Sequence, residues 1–167
     1  MNKKLKDVCS FQEGYVNPSQ ENLKYFNGKI KWLRAIDLND GIVENTSRTL
    51  TELGYRSAGI SALMFPPNSI AISKSGTIGV LGILADYMCG NRAVINIVPD
   101  TTLTSAKYIF YLLKYKNREI VQKAVGSIQK NLYVSSLETI GLCHDDLSEQ
   151  LRITNTCQYC GGFHHAC

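Results

Sequence analysis

The sequence predicts an α+β domain built on a mainly antiparallel, twisted and curved β-sheet with a few helices. Three observations predict it. Short runs of β-forming residues recur through the first two-thirds of the chain. Asn, Asp and Gly residues separate them at distances that suit tight connections. One long stretch with apolar residues at helical spacing comes after the last run. The 167 residues are the length of a single domain, and a 44% hydrophobic content is enough to bury a core.

The first strand run is Ile30-Lys31-Trp32-Leu33-Arg34-Ala35-Ile36, with Asn27-Gly28 as a turn before it and Asn39-Asp40-Gly41 as a turn after it. Next, Thr49-Leu50-Thr51-Glu52 reads as a capping box with Thr49 as N-cap. It opens a short helix that reaches about Ser57, with Gly59 as a stop. Asn68-Ser69 introduces the strand Ile70–Ser73. Thr77–Leu84 reads as a third strand, and Arg92–Val98, stopped by Pro99, as a fourth. The long helix is expected over Ser105–Ala124, with Ile109, Leu112, Leu113, Ile120 and Val121 as its apolar stripe. Lys107, Lys114, Lys116, Arg118 and Lys123 fall largely off that stripe, on a face that is either solvated or turned to a polyanion. Two loops stand out for their small and polar residues, Ser73–Gly79 and Gly126–Leu132.

Charge and cysteine are unevenly placed. The whole chain carries +4, but residues 143–167 hold one Arg against three acids, which leaves 17 basic against 11 acidic residues, or +6, in the rest. That surplus permits phosphate neutralisation without requiring it. No apolar run reaches the ~18 residues of a membrane span, and the basic start Met1–Asp7 has no apolar segment after it. A cytoplasmic protein with no membrane partner is therefore expected. Four of the six cysteines, Cys143, Cys157, Cys160 and Cys167, crowd the last 25 residues. With no secretory signal, this is not the pattern of a secreted disulfide framework.

Catalytic readings find little support. Gly76 and Gly79 lack the Lys-Ser/Thr that completes a phosphate-binding loop, and the segment after them is strand-like, not helical. Phe65-Pro66-Pro67-Asn68 has the residue types of an amino-methyltransferase motif in the wrong order, with no cofactor-binding unit before it. Asp100 has no acid-x-Lys partner for metal-dependent nuclease chemistry. All three histidines, His144, His164 and His165, lie in the last 24 residues, so no triad forms in the main body. The terminal Cys157-x-x-Cys160 with His164, His165 and Cys167 has a zinc-like inventory. Its two ligand pairs, however, lie closer together than the ~12 residues usual in structural sites. No cofactor and no metal are expected.

Two loops and their surroundings resemble a known family. Phe65-Pro66-Pro67-Asn68-Ser69-Ile70-Ala71-Ile72-Ser73-Lys74-Ser75-Gly76-Thr77-Ile78-Gly79 is similar to the proline, strand and Ser-x-Ser-Gly-Thr-Ile-Gly signature of type I restriction-modification specificity subunits. Cys89-Gly90-Asn91-Arg92-Ala93-Val94 resembles the strand after it. Gly126-Ser127-Ile128-Gln129-Lys130-Asn131-Leu132 with Leu137-Glu138-Thr139-Ile140 resembles the Gly-x-x-Gln-x-x-Leu signature and the strand beyond. Leu5-Lys6-Asp7-Val8 with Gly14 resembles the family's opening, and Ile30-Lys31-Trp32-Leu33 its early strand. These pieces occur in family order over residues 3–153.

The resemblance implies a target recognition domain over 1–142. It implies a truncated linker and start of the family's spacer helix over 143–167. Ser148-Glu149-Gln150-Leu151-Arg152-Ile153 begins that helix, Thr154-Asn155-Thr156-Cys157 is expected to break it, and a disordered Cys/His tail is expected after the break. The end of the chain reads as a truncation or a change of reading frame.

The function implied is non-catalytic, sequence-specific binding of double-stranded DNA. One half of a split site is read for methyltransferase (modification) subunits and, through them, for restriction subunits. A second specificity half is a further implied partner. Base reading needs Arg or Lys for guanine and Asn or Gln for adenine, and phosphate clamping needs basic and hydroxyl side chains. Lys74, Ser75, Thr77, Ser127, Gln129, Lys130 and Asn131 are the DNA-binding residues expected first, then Arg34, Asn39, Arg48, Arg56, Asn91 and Arg92. Two other readings compete: a fragment that folds but does not assemble, and a small zinc-bound nucleic-acid adaptor built on the tail.

Overall fold

A computed structural model describes residues 3–160, with side chains to Cys157. Its organising element is a strand that is buried on both sides, β6 (Ile70–Ser73). Alternate residues of a strand point to opposite faces. Ile70 and Ile72 accordingly enter one core and Ala71 enters another. β6 is the middle of a five-stranded sheet ordered β1-β9-β6-β7-β3, formed with β1 (Cys9–Glu13), β3 (Gly41–Val43), β7 (Leu81–Leu84) and β9 (Val94–Pro99). A four-stranded sheet ordered β4-β2-β8-β5 lies beside it, made of β2 (Phe26–Leu33), β4 (Thr49–Leu50), β5 (Met64–Phe65) and β8 (Met88–Gly90). The predicted α+β class holds. The pairing is antiparallel between β1 and β9, β9 and β6, β6 and β7, β2 and β4, and β5 and β8. It is parallel between β2 and β8 and between β3 and β7.

Helices cover one face of the larger sheet. They are α1 (Leu5–Val8), α3 (Ala106–Tyr115), α4 (Asn117–Gln122), α5 (Val134–Glu138) and α6 (Leu147–Cys160); the short α2 (Glu52–Arg56) lies by the smaller sheet, its Tyr55 packed against that sheet's Phe26–Trp32 core. Tyr108, Ile109, Leu112, Leu113 and Ile120 pack on Ile70, Ile72, Leu81, Ile95 and Ile97. Each such aliphatic side chain contributes about 1.5–3 kcal/mol when fully buried. On the opposite face, Ala71, Leu84 and Val94 meet Leu33, Phe65 and Met88 of the smaller sheet. A polar chain lines the larger sheet's side of this junction without an orphan. Ser69 Oγ donates to Asn96 Oδ1 at 2.9 Å, and Asn96 Nδ2 donates to Gln12 Oε1 at 3.0 Å.

Several sequence expectations are corrected by packing. Asn27-Gly28 is a bulge inside β2, with Asn27 at φ 64°, and not a turn before it. The strand ends at Leu33, and Ala35–Asp37 turns as a 3-10 helix whose Asp37 carboxylate accepts the Arg34 N–H at 2.9 Å. Thr49 pairs with Lys31 in β4, because fully buried Leu50 must stay extended to reach the core. Thr51 is the N-cap, accepting from Gly54 N–H at 3.2 Å. Thr77–Val80 is loop, so the third strand starts at Leu81. The long helix begins where expected, with Ser105 as its N-cap, but breaks at Lys116, and Val121 is partly exposed in the shifted phase of α4. Leu137–Ile140 is not a strand; it is the end of α5 and the turn after it.

Helix α6 continues through Thr154–Cys157, where the departure from the family's spacer-helix pattern implies a break. Thr154 and Thr156 return their hydroxyls to the carbonyls of Leu151 and Arg152 at 3.0 and 3.1 Å, and Ile153 and Cys157 are buried against the helical core. The helix expected to begin over Ser148–Ile153 therefore runs over Leu147–Cys160. The tail residues His164, His165 and Cys167 lie outside the described residues.

A buried polar latch holds α6 to the domain. Gln150, fully buried, accepts from Thr104 Oγ1 at 2.7 Å and donates through Nε2 to His144 O at 2.9 Å. Gln150→Leu leaves the buried Thr104 hydroxyl without its acceptor and His144 O with only its longer bond from Tyr108 OH, and an unsatisfied buried group costs about 1–3 kcal/mol. The expected result is a lower melting temperature with faster proteolysis confined to α6. Unchanged protection of α6 would contradict the latch.

Candidate nucleic-acid interface

The two polar loops are joined to each other at one rim of the larger sheet. The first, Lys74–Val80, connects β6 to β7. Ser73 closes its base: Ser73 Oγ donates to Thr77 O at 2.6 Å and accepts from Val80 N–H at 2.9 Å. Gly76 and Gly79 sit at φ 71° and 89°, which explains why a β-forming run leaves the sheet here. Gly79 also needs its missing side chain. A Cβ there would lie 2.7 Å from Asn117 Nδ2, which donates to Gly79 O at 2.7 Å. That bond is also where the long helix breaks, one residue after Lys116.

The second loop is a narrow hairpin. Val125 and Asn131 exchange both backbone hydrogen bonds, at 2.9 and 2.8 Å. Gly126, at φ 140°, lets the chain double back so closely that a Cβ would meet Gln129 O at 2.1 Å. Leu132 N–H then donates to Lys74 O at 2.8 Å, which fixes the hairpin to the first loop. Ile128 stands fully exposed at the tip. A third segment, Asn91–Ala93 between β8 and β9, joins the same rim through Lys74 N–H to Ala93 O at 2.8 Å.

The expected DNA-binding residues divide by how their side chains are engaged. Thr77, Ser127, Gln129, Lys130 and Arg92 are exposed and half-buried Ser75 is beside them. None of their side chains has a hydrogen-bond or ion-pair partner among the described residues. Asn131 reaches back weakly to Gln129 O at 3.4 Å. Lys74 is half-buried and lies 2.9 Å from Glu13, whose carboxylate also accepts from Tyr15 OH at 2.7 Å. Asn39 and Asn91 are spent on local turns, accepting from Gly41 and Ala93 N–H at 3.0 Å each.

The remaining arginines sit farther along the smaller sheet. Arg34 donates to Ser47 Oγ at 2.6 Å with its guanidinium 5.3 Å from the Trp32 ring. Arg48 stacks 3.9 Å over Phe26 and donates to Gln20. Arg56 pairs with Glu52 at 2.6 Å. Sequence reasoning missed Glu13, Tyr15, Asn17 and Asn117, whose rim roles depend on long-range partners.

The Lys74 ammonium and the Tyr15 hydroxyl together hold the Glu13 carboxyl below its ordinary 4.5. The pair contributes fully above that value, and its contribution is lost as pH falls through the lowered folded value. Because it is partly solvated, the contribution is about 1 kcal/mol or less. Glu13→Gln is expected to be less stable than wild type in denaturant at neutral pH and to match it in acid well below 4.5. A gap that persists in acid would refute this.

Among the described residues there is no group of three or more His, Cys, Asp or Glu placed to hold a metal, and no helix is long and apolar enough to cross a membrane. Cys157 is buried in the helical core.

A family model described as "Type I restriction modification DNA specificity domain" matches residues 1–157. Solved structures agree in fold. A chain from work on complex assembly and conformational transition of the type I R-M system is 17% identical with a TM-score of 0.74, and the match covers 96% of this chain and 38% of that one. A type I S subunit from M. genitalium is 18% identical with a TM-score of 0.67, covering 95% and 38%. The HsdS subunit from Thermoanaerobacter tengcongensis is 18% identical with a TM-score of 0.71, covering 95% and 36%. The chain thus spans less than two-fifths of the length of each of these structures.

Proposed function

We propose that this chain, which belongs to the type I restriction modification DNA specificity domain family, reads one half of a split duplex DNA target. It presents that half-site to methyltransferase subunits and, through them, to restriction subunits in the cytoplasm. Specificity subunits are in general not catalytic, and in this reading the chemistry belongs to the partner subunits. Residues 1–142 form the reading unit, and α6 begins the spacer toward a second specificity half.

The observation that supports this reading is the joined rim. Two loops, stapled by the Leu132–Lys74 backbone bond, offer Thr77, Ser127, Gln129 and Lys130 to solvent with no side-chain partner in the described structure. A rigid backbone carrying unsatisfied amide, hydroxyl and ammonium groups suits base edges and phosphates. The test mixes purified chain with a type I modification subunit, with and without a second specificity half, and follows assembly by light scattering and DNA protection by footprinting. Protection of a single half-site is expected. No protection in any combination would overturn the reading.

A further inference from the structure

Beside the rim lies a small polar pocket of about 270 Å³, lined by Tyr15, Asn17, Ser57, Ala58, Ser61 and Arg92. Three elements that are distant in sequence build it: the segment after β1, the end of α2 with the turn beyond it, and the β8–β9 connection. The Arg92 side chain is exposed and has no partner among the described residues. Its backbone N–H donates to Asn17 Oδ1 at 3.2 Å, which leaves the Asn17 Nδ2 group as a free donor. Ser61 OH is likewise uncommitted, whereas Ser57 donates to Gly54 O at 2.6 Å and Tyr15 to Glu13. The neighbouring acids are answered: Glu13 by Lys74 at 2.9 Å and Glu52 by Arg56 at 2.6 Å.

We infer that this pocket holds one phosphodiester of the bound duplex, with Arg92, Asn17 Nδ2 and Ser61 OH as its donors. An unpaired guanidinium with an amide and a hydroxyl is a donor set for a tetrahedral anion. Arg92 is one residue from Ala93, whose carbonyl binds Lys74 N–H at 2.8 Å, so the pocket and the two reading loops share one backbone frame. A phosphate held here sets the register at which Gln129 and Thr77 meet the bases. This inference rests on the DNA-reading function proposed above.

The test compares wild type, Arg92→Gln and Ser61→Ala on the preferred duplex and on scrambled duplexes at several salt concentrations. Neutralising one phosphate contributes about 0.9 to the salt slope of a B-DNA complex. Arg92→Gln should therefore flatten the slope by about that amount and weaken every sequence alike. Ser61→Ala should weaken binding to a smaller extent. Replacing single phosphates by neutral methylphosphonates should reveal one position that matters to wild type and not to Arg92→Gln. Circular dichroism checks that the variants fold, and Arg92→Lys, which keeps the charge, should restore the slope.

A variant slope equal to wild type, or a change in the preferred sequence, overturns the pocket while the DNA-reading function stands. Wild-type chain that binds no DNA overturns both. Chemical-shift changes at Asn17, Ser61 and Arg92 with inorganic phosphate alone, together with no methylphosphonate-sensitive position, would make the pocket a free-anion site and refute the inference.

Discussion

Gly126→Ala is expected to abolish sequence preference while leaving the core folded. The cause is steric. Gly126 lies at φ 140°, a region that side chains avoid, and a Cβ there meets the Gln129 carbonyl oxygen at 2.1 Å and its carbon at 2.9 Å. These are backbone atoms of the same hairpin, so no rotamer change relieves the contact. Strain of this kind costs about 1–3 kcal/mol. The hairpin escapes it by opening, which breaks the Val125–Asn131 pair and loosens the staple to Lys74. Val125, Gly126 and Gln129 are all exposed, and the buried core does not depend on them. A melting temperature lowered by about 2–12 °C is expected, since 1 kcal/mol shifts a domain of this size by roughly 2–4 °C. Competition binding should show equal affinity for preferred and scrambled duplexes. Preference retained in a folded Gly126→Ala protein would contradict the assignment of the hairpin.

Gln129→Ala is expected to act on one base position alone. The Gln129 side chain is exposed on a hairpin fixed at both ends and makes no hydrogen bond among the described residues. An amide so placed can pair with both polar atoms of an adenine edge, a contact worth about 1–3 kcal/mol of discrimination. The variant should accept any base at one position, with affinity for the original site reduced about 5- to 150-fold and preferences elsewhere unchanged. Uniform weakening over all sequences would show that Gln129 meets phosphate or sugar, and the reading role would fail.

Local chemistry makes part of this structure legible in advance. Ile70–Ser73 is a short apolar run bounded by turn residues, and it is the fully buried central strand. The long helix starts at the expected Ser105, whose hydroxyl accepts from Tyr108 N–H at 3.2 Å. The two glycine-containing loops are also visible, because their residues suit positive φ and polar surfaces rather than sheets.

The illegible part depends on contacts remote in sequence. The helix breaks at Lys116 where Asn117 turns to bind Gly79. β3, β4, β5 and β8 are too short to show a period, and two of their pairings are parallel. Thr154–Cys157 departs from the family's spacer-helix pattern and is expected to break the helix, yet burial of Ile153 and Cys157 and the Gln150 latch carry α6 through it. At the rim, the sequence ranks Lys74 ahead of Arg92, and the fold reverses their availability. Glu13 answers Lys74 and nothing described answers Arg92.

Whether the joined loops read a short DNA sequence is decided by selection from a randomised duplex library. Purified chain is used, with and without a type I modification subunit and at two salt concentrations. Enrichment of one short half-site is expected, with affinity falling steeply as salt rises. Sequence-blind binding in both conditions would contradict DNA reading by this chain.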